Sequence, residues 1–266
     1  MHVSTRSLGT TLATLILGVA TVLGLAHPAA AAGHHYVALG DSYSSGVGAG
    51  SYTSESGDCK RSTASYPQLW SNANAPASFK FVACSGATTT SVASTQLSAL
   101  SSTTTLVSVT AGGNDIGFAN VMQTCVLQSE ATCVAAVNNA VSQMQNSLPG
   151  KLDSLYSAIR SRSPQARVVV LGYPRFYKLS GSCIAGLSET ERSAINNAGD
   201  VLNGVIAKRA ANAGFAWSSV VDEFTGHELC SGDAWLHSVT FPIGNSYHPK
   251  AVGQSGGYLP AFRSAV

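Results

Sequence analysis

Charge is what this 266-residue chain has least of. Lys, Arg, Asp and Glu make up 11% of it, 15 basic against 13 acidic residues, under half the globular norm of about 25%. No cluster of Lys or Arg occurs, so the footprint by which proteins hold phosphate backbones is missing and no nucleic-acid partner is expected. Apart from residues 8–26, no apolar run is long enough to span a bilayer, which excludes a polytopic membrane protein. The 26 Gly and 9 Pro follow no period, which excludes a collagen. No internal repeat, low-complexity tract or linker divides the chain. Ser, Thr, Asn and Gln must therefore supply the polar surface, as in many secreted proteins.

Residues 1–32 read as a signal peptide: Arg6 in a short polar start, the apolar stretch 8–26, then the small-residue run Ala29-Ala30-Ala31-Ala32. Cleavage is expected near Ala32, leaving residues 33–266 as a single domain long enough to bury a full core. The alternative is an uncleaved anchor helix, because the stretch nearly reaches the ~20 residues that span a bilayer. All six cysteines, Cys59, Cys84, Cys125, Cys133, Cys183 and Cys230, lie after Ala32, and an even number in an exported chain implies disulfides. Sequence alone does not choose among the pairings. Sequential pairing, 59–84, 125–133 and 183–230, is the expectation because it joins neighbouring segments. There is no C-x-x-C spacing, and no histidine after Ala32 has a Cys within two positions, so no metal is expected.

Five short apolar runs, 36–39, 79–83, 106–110, 168–171 and 215–221, each end in a Gly-rich or polar loop. Continuous runs such as Val168-Val169-Val170-Leu171 suit strands buried on both faces. Between them lie helical periods. One starts at Ser188, whose partner Glu191 three residues on makes a capping box; it carries Ile195, Ala198, Leu202, Val205 and Ile206 on one stripe and stops at Gly214. Another runs from Val134 to Ile159, where Pro149 should break or kink it. Strands alternating with helices predict a parallel sheet covered on both faces, with ligands beyond the carboxyl ends of the strands.

The loops at those ends carry the chemistry. After the first run comes Gly40-Asp41-Ser42-Tyr43-Ser44-Ser45-Gly46, after the second Cys84-Ser85-Gly86-Ala87, after the third Gly112-Gly113-Asn114-Asp115, and near the end Tyr247-His248-Pro249. A serine on a sharp strand-to-helix turn is held out of the core beside the helix-start N–H groups, which makes Ser42 a candidate nucleophile; Asp and Ser are also ordinary caps. Attack on an ester carbonyl needs donors aimed at the developing oxyanion. Asn114 offers an amide, and Gly86 and Ser42 offer N–H groups. Turn glycines and a capping asparagine are the bland alternatives for each alone. The serine needs a base. His34 and His35 stand at the new N-terminus, where fraying is expected, leaving His227, His237 and His248. The last precedes a proline, which favours an extended loop from which a ring can reach another segment. Gly226-His227-Glu228-Leu229-Cys230 resembles the start of a zinc-protease helix, but Ser231 stands at the second ligand position.

Taken together, Ser42 within G-D-S, Gly86, Asn114 within G-G-N-D and His248 before a proline resemble, in order, the four blocks of the SGNH (GDSL) hydrolases, over essentially all of residues 33–266. With Tyr43-Ser44-Ser45-Gly46, Gly172-Tyr173-Pro174 and six cysteines, the chain looks like their secreted actinobacterial lipase, esterase and phospholipase A1 branch. The resemblance implies an α/β fold, a three-layer α/β/α sandwich with a mainly parallel central sheet. It implies carboxylic ester hydrolysis without metal or other cofactor, Ser42 as nucleophile, and an oxyanion hole from the Ser42 N–H, the Gly86 N–H and the Asn114 side chain. It also implies the sequential cysteine pairing.

One position departs from the pattern. Many members place Asp three residues before the histidine, and this chain has Asn245, whose amide cannot supply the charge that steadies an imidazolium. Some relatives let a main-chain carbonyl accept the Nδ1–H. The Ser246 carbonyl is expected in that role, making a Ser42–His248 dyad, with Asp222 at the end of the fifth strand as its rival. Lipid or other esters are the expected substrates, with transient contact to lipid aggregates and a monomeric enzyme. Acetyl removal from polysaccharide and a non-catalytic glycan- or lipid-binding module are the alternatives. Gly46-Val47-Gly48-Ala49-Gly50 fails as a dinucleotide loop because Ser51 stands where its last glycine belongs. Trp70, Trp217 and Trp235 are expected mainly in the core, and no contiguous amphipathic insertion forms an obvious lid.

Overall fold

A computed structural model describes residues 1–5, 33–179, 181, 183 and 186–266. The chain divides into Met1–Ala32 and Gly33–Val266. The apolar stretch of the expected signal peptide and its cleavage site lie outside the described residues. Among the described residues, no helix is long and apolar enough to cross a membrane.

Gly33–Val266 runs β1 (His35–Gly40), α1 (Ser42–Ser45), α2 (Tyr66–Asn74), β2 (Ser78–Phe81), α3 (Thr89–Ser91), β3 (Leu106–Thr110), α4 (Phe118–Leu127), α5 (Glu130–Asn146), α6 (Leu148–Arg162), β4 (Arg167–Leu171), α7 (Glu189–Asn212), β5 (Ala216–Ser218), α8 (Val221–Phe224), α9 (Ala251–Gly253) and α10 (Leu259–Ala265). The five strands form one wholly parallel sheet in the order β2-β1-β3-β4-β5. Parallel strands need helical crossovers, and crossovers on both faces bury the sheet. On one face α10 packs on β4, β5 and α2; on the other α7 lies over β4 and β5 and packs against α5 and α6. The order reverses direction between β1 and β3. Loops leaving those neighbouring strands part to opposite sides and open a crevice, where doubly wound sheets bind ligands.

The central strands are those legible as apolar runs: β3 is buried throughout, and β4 from Val168 to Leu171. The one hydroxyl of Ser108 in mid-sheet is met by the Tyr36 hydroxyl at 2.7 Å. The edge strands are shorter than the sequence suggests. β2 ends at Phe81, but the chain still bonds to β1, with Val82 and Ala83 N–H on the Ala38 carbonyl and Cys84 N–H on that of Gly40, which carries Ser85 and Gly86 to the sheet's end. β5 ends at Ser218 because the chain turns into α8; Asp222 therefore sits exposed on a helix rather than at a strand end. His35 is not frayed: it opens β1, its N–H donates to Thr105 Oγ1 at 2.9 Å and its Nδ1 meets Ser78 Oγ.

The long apolar period is cut by Pro149 into α5 and α6, with the proline in the first turn of α6, where its missing N–H leaves no bond unmade. α7 begins on its capping box, Ser188 Oγ accepting from Glu191 N–H and Glu191 Oε2 from Ser188 N–H. Trp70 is buried against Tyr36 and Phe262, while Trp217 and Trp235 pack part-buried on the core. The disulfides are Cys59–Cys84, Cys125–Cys133, which ties α4 to α5, and Cys183–Cys230.

Candidate active site

Ser42 follows β1 at the start of α1, with Asp41 as its N-cap accepting the Tyr43 N–H at 3.0 Å. All four residues of the helix are buried, so packing on every side holds Ser42 in place. His248 comes from the C-terminal loop, 206 residues away, and its Nε2 lies 2.7 Å from Ser42 Oγ. The other ring nitrogen, Nδ1, lies 3.0 Å from the Ser246 carbonyl. A carbonyl only accepts, so Nδ1 carries the hydrogen and Nε2 presents its lone pair to the serine hydroxyl. Burial pushes the ring's pKa down to about 4, helped by the charges of His237 and Lys60 and opposed by the Ser246 carbonyl. The imidazole is therefore neutral, and able to accept a proton, throughout the neutral range.

Neither the rival Asp222 nor the amide of Asn245 bonds to the ring. Asp222 is exposed in α8, and the Asn245 side chain accepts from the Tyr52 hydroxyl at 3.4 Å. The loop is held by backbone and aromatic contacts instead. His237 and the 247–248 segment exchange backbone bonds, His237 N–H to the His248 carbonyl and Tyr247 N–H to that of His237, each 2.9 Å. Tyr247 adopts φ +64, a conformation rare for an aromatic residue, and the Tyr43 hydroxyl donates to its carbonyl at 2.7 Å. The Tyr43 ring also lies 5.3 Å from that of His248. One residue after the serine thus braces one residue before the histidine. Gly48 has a steric reason to be glycine: a Cβ there would meet the Pro249 carbonyl at 2.7 Å and His248 Cβ at 3.0 Å. Gly46 is crowded in the same way, by Ser65 Cβ at 2.6 Å, whereas Gly50 has open space and only its φ of +71 favours glycine.

The three donor groups line the same cavity as Ser42 and His248. The Ser42 and Gly86 N–H groups meet no acceptor among the described residues. Gly86 has φ +75, and a Cβ on it would point into open space, so its requirement is conformational. Asn114 gives one Nδ2 hydrogen to the Ala87 carbonyl at 2.9 Å, joining the second loop to the third, and keeps the other. Its neighbour Asp115 accepts from Thr89 N–H and Oγ1 at 2.8 and 2.7 Å. These contacts hold the Asn114 side chain and join its loop to the one before it.

Beneath the serine lies a network that sequence reasoning missed. Asp41, read there only as a cap, is 1% exposed and accepts from the Thr110 hydroxyl at 2.8 Å and the Tyr173 hydroxyl at 2.5 Å. Tyr173 in turn accepts the Gly113 N–H at 3.2 Å. Burial pushes the Asp41 carboxyl up to about 6, against the pull of these donors. Four buried amides clamp the backbone around this network. Gln96 holds both polar groups of Gly40, Gln254 links Tyr66 N–H to the Tyr43 carbonyl, Asn203 holds both groups of Tyr173, and Asn196 those of Tyr177. The one trace in the sequence is that Asn196 and Asn203 stand seven apart beside the apolar stripe of α7.

From Ser42 a cavity of about 590 Å³ runs between α4, α5 and α7, lined by Met122, Val137, Met144, Phe176, Ile195 and Leu202 among others. No Trp lines it.

The chain matches the model of the GDSL-like lipase/acylhydrolase family over residues 38–255. Lipase 1 from Streptomyces coelicolor is 60% identical over 252 residues, 94% of this chain and 92% of that one. The crystal structure of phospholipase A1 from Streptomyces albidoflavus superposes with a TM-score of 0.87 at 63% identity, covering 89% of this chain and 100% of that one. That of the extracellular lipase from Streptomyces rimosus gives 0.86 at 61%, covering 87% and 99%.

Proposed function

The chain belongs to the GDSL-like lipase/acylhydrolase family, and from that membership and its site geometry we propose that it is an exported hydrolase of lipid esters working through an acyl-enzyme on Ser42. Hydrolysis of carboxylic esters follows from the family and its Streptomyces relatives. Export is our reading of the 1–32 leader and the three disulfides, in line with a relative described as extracellular.

In the proposed reaction, Ser42 Oγ attacks the ester carbonyl carbon while its proton passes to His248 Nε2. The carbonyl oxygen takes the negative charge and rests on the Ser42 N–H, the Gly86 N–H and the free hydrogen of Asn114 Nδ2. As the carbon–oxygen bond to the alcohol breaks, the imidazolium returns its proton to the departing oxygen. Water then loses a proton to Nε2, its oxygen attacks the acyl carbon, and collapse releases the acid with the proton restored to Ser42 Oγ. The Ser246 carbonyl holds the ring throughout. No step calls for a cofactor.

A single observation carries this reading: a neutral imidazole, its tautomer fixed by a backbone carbonyl, 2.7 Å from a serine hydroxyl at the head of an apolar cavity. The cavity's size is in the range of about 300–1,000 Å³ that accommodates drug-sized ligands, and its lining suits an acyl chain better than acetyl. We therefore favour fatty-acyl lipids, phospholipids among them, over polysaccharide acetyl groups. The test is hydrolysis of an ester series from acetyl to long-chain acyl, beside a phospholipid, by the wild type and Ser42→Ala. Rates that rise with chain length and vanish in the variant are expected. Acetyl esters turned over as fast as long-chain ones would assign the substrate class to short acyl groups, and an active Ser42→Ala would end the proposal.

A further inference from the structure

Among the described residues of Gly33–Val266, eight large apolar side chains are exposed; four of them line the cavity, and a fifth, Phe241, stands between two of those in sequence. On one side, at the end of α4, are Val126 and Leu127; on the other, in the loop before His248, are Val239, Phe241 and Ile243. Leu127 is 65%, Ile243 69% and Phe241 93% exposed. All but Phe241 also line the cavity, so its apolar lining continues onto the surface at both places. Chance scatter of surface apolar residues needs no explanation, but a contiguous patch does.

We infer that these two walls form a fixed collar that docks on a lipid surface and hands the acyl chain straight into the cavity; the inference rests on the lipid-ester reading of the site. The occupant is argued from continuity: what lies against the collar must be of the same chemistry as what enters through it. Charge agrees. Residues 117–129 and 236–249 contain no Asp, Glu, Lys or Arg, so neither segment has a fixed charge of its own, and the ammonium beside the second, that of Lys60 next to Gly244, is a cation that can meet lipid phosphate. The Cys125–Cys133 bridge and the His237–His248 backbone bonds anchor one wall each. Docking then requires no lid to open.

The test is partition onto phosphatidylcholine vesicles, measured by flotation in the Ser42→Ala background so that the vesicles stay intact. Phe241→Asp and, on the opposite wall, Leu127→Ser should each lower partition by about tenfold or more, while Phe241→Trp keeps it. With Ser42 present, Phe241→Asp should lose vesicle hydrolysis to the same degree yet keep kcat/KM for a monomeric short-chain ester within about twofold. Unchanged partition in both variants would overturn the collar, as would equal loss of vesicle and soluble-ester activity. So would a dimer that dissociates on Phe241→Asp with vesicle binding intact, since the patch would then be a self-association surface. Flotation is blind to catalysis, so its failure leaves the ester-hydrolase reading standing, whereas a wild type inactive on soluble ester and vesicles alike would strike that reading, on which the collar rests.

Discussion

A main-chain carbonyl fixes an imidazole tautomer as well as a carboxylate does, but it brings no negative charge to steady the imidazolium. With Ser246 in that position, stabilisation of the transition state rests more heavily on the oxyanion donors. Asn114→Ala should lower kcat about 10²–10³-fold, and wild-type kcat in that variant would remove Asn114 from the hole. Asp222, exposed and without a bond to the ring, should be expendable: Asp222→Asn is expected to keep kcat within about twofold, where loss of a triad carboxylate costs about 10⁴. Tyr43→Phe removes the one donor bonded to the buried Tyr247 carbonyl. An unmet buried acceptor is worth about 1–3 kcal/mol, so kcat should fall roughly tenfold with KM little changed; a larger rise in KM than fall in kcat would place Tyr43 in substrate binding.

The elements divide into those that local pattern specifies and those that distant partners specify. β3, β4 and α7 are legible because their burial is continuous or strictly periodic and their ends carry caps, as with Ser188 and Glu191. The edges β2 and β5 are not, since each has one paired side only and its length is set by where the neighbouring loop turns. In the same way Ser42, Gly86, Asn114 and His248 are legible because chemistry restricts their types, and each follows an apolar run or precedes a proline. The supporting shell is not. Gln96, Asn196, Asn203 and Gln254 are ordinary polar letters whose work is to meet backbone groups 19 to 211 residues away. Asn203→Ala exposes the reason for them: it strips partners from both polar groups of Tyr173, a residue that also reaches Asp41. Unfolding free energy should fall by about 1–3 kcal/mol, read as a drop of roughly 2–12 °C in Tm for a domain of this size. An unchanged Tm would mean that the loop after β4 is held by packing alone.

At the scale of the whole molecule, two buried groups couple folding to acidity with opposite sign. The His248 pKa is lowered on folding, from 6.5 to about 4, so its contribution to stability is present above about 6.5 and is lost as pH falls towards 4. The Asp41 pKa is raised, from 3.8 to about 6, so its contribution is present below about 3.8 and is lost as pH rises through 6. The two offset each other between pH 4 and 6. His248→Asn removes only the first, so relative to wild type the variant should gain stability as pH is lowered across that window, which paired thermal melts at pH 4.5 and 7 would reveal. Catalysis reports the histidine directly: the acid limb of kcat/KM for a soluble ester should fall well below pH 6.5, near 4.

Everything in the proposed reaction turns on Ser42 carrying the acyl group and on His248 making it nucleophilic by taking its proton. Incubation with a long-chain organophosphonate ester, followed by intact-mass and peptide mass spectrometry, tests it in one measurement. A single adduct on the peptide containing Ser42, formed fast in the wild type, far more slowly in His248→Ala and never in Ser42→Ala, is the expected result; an adduct on another residue, or equally rapid labelling of the His248→Ala protein, would contradict the account.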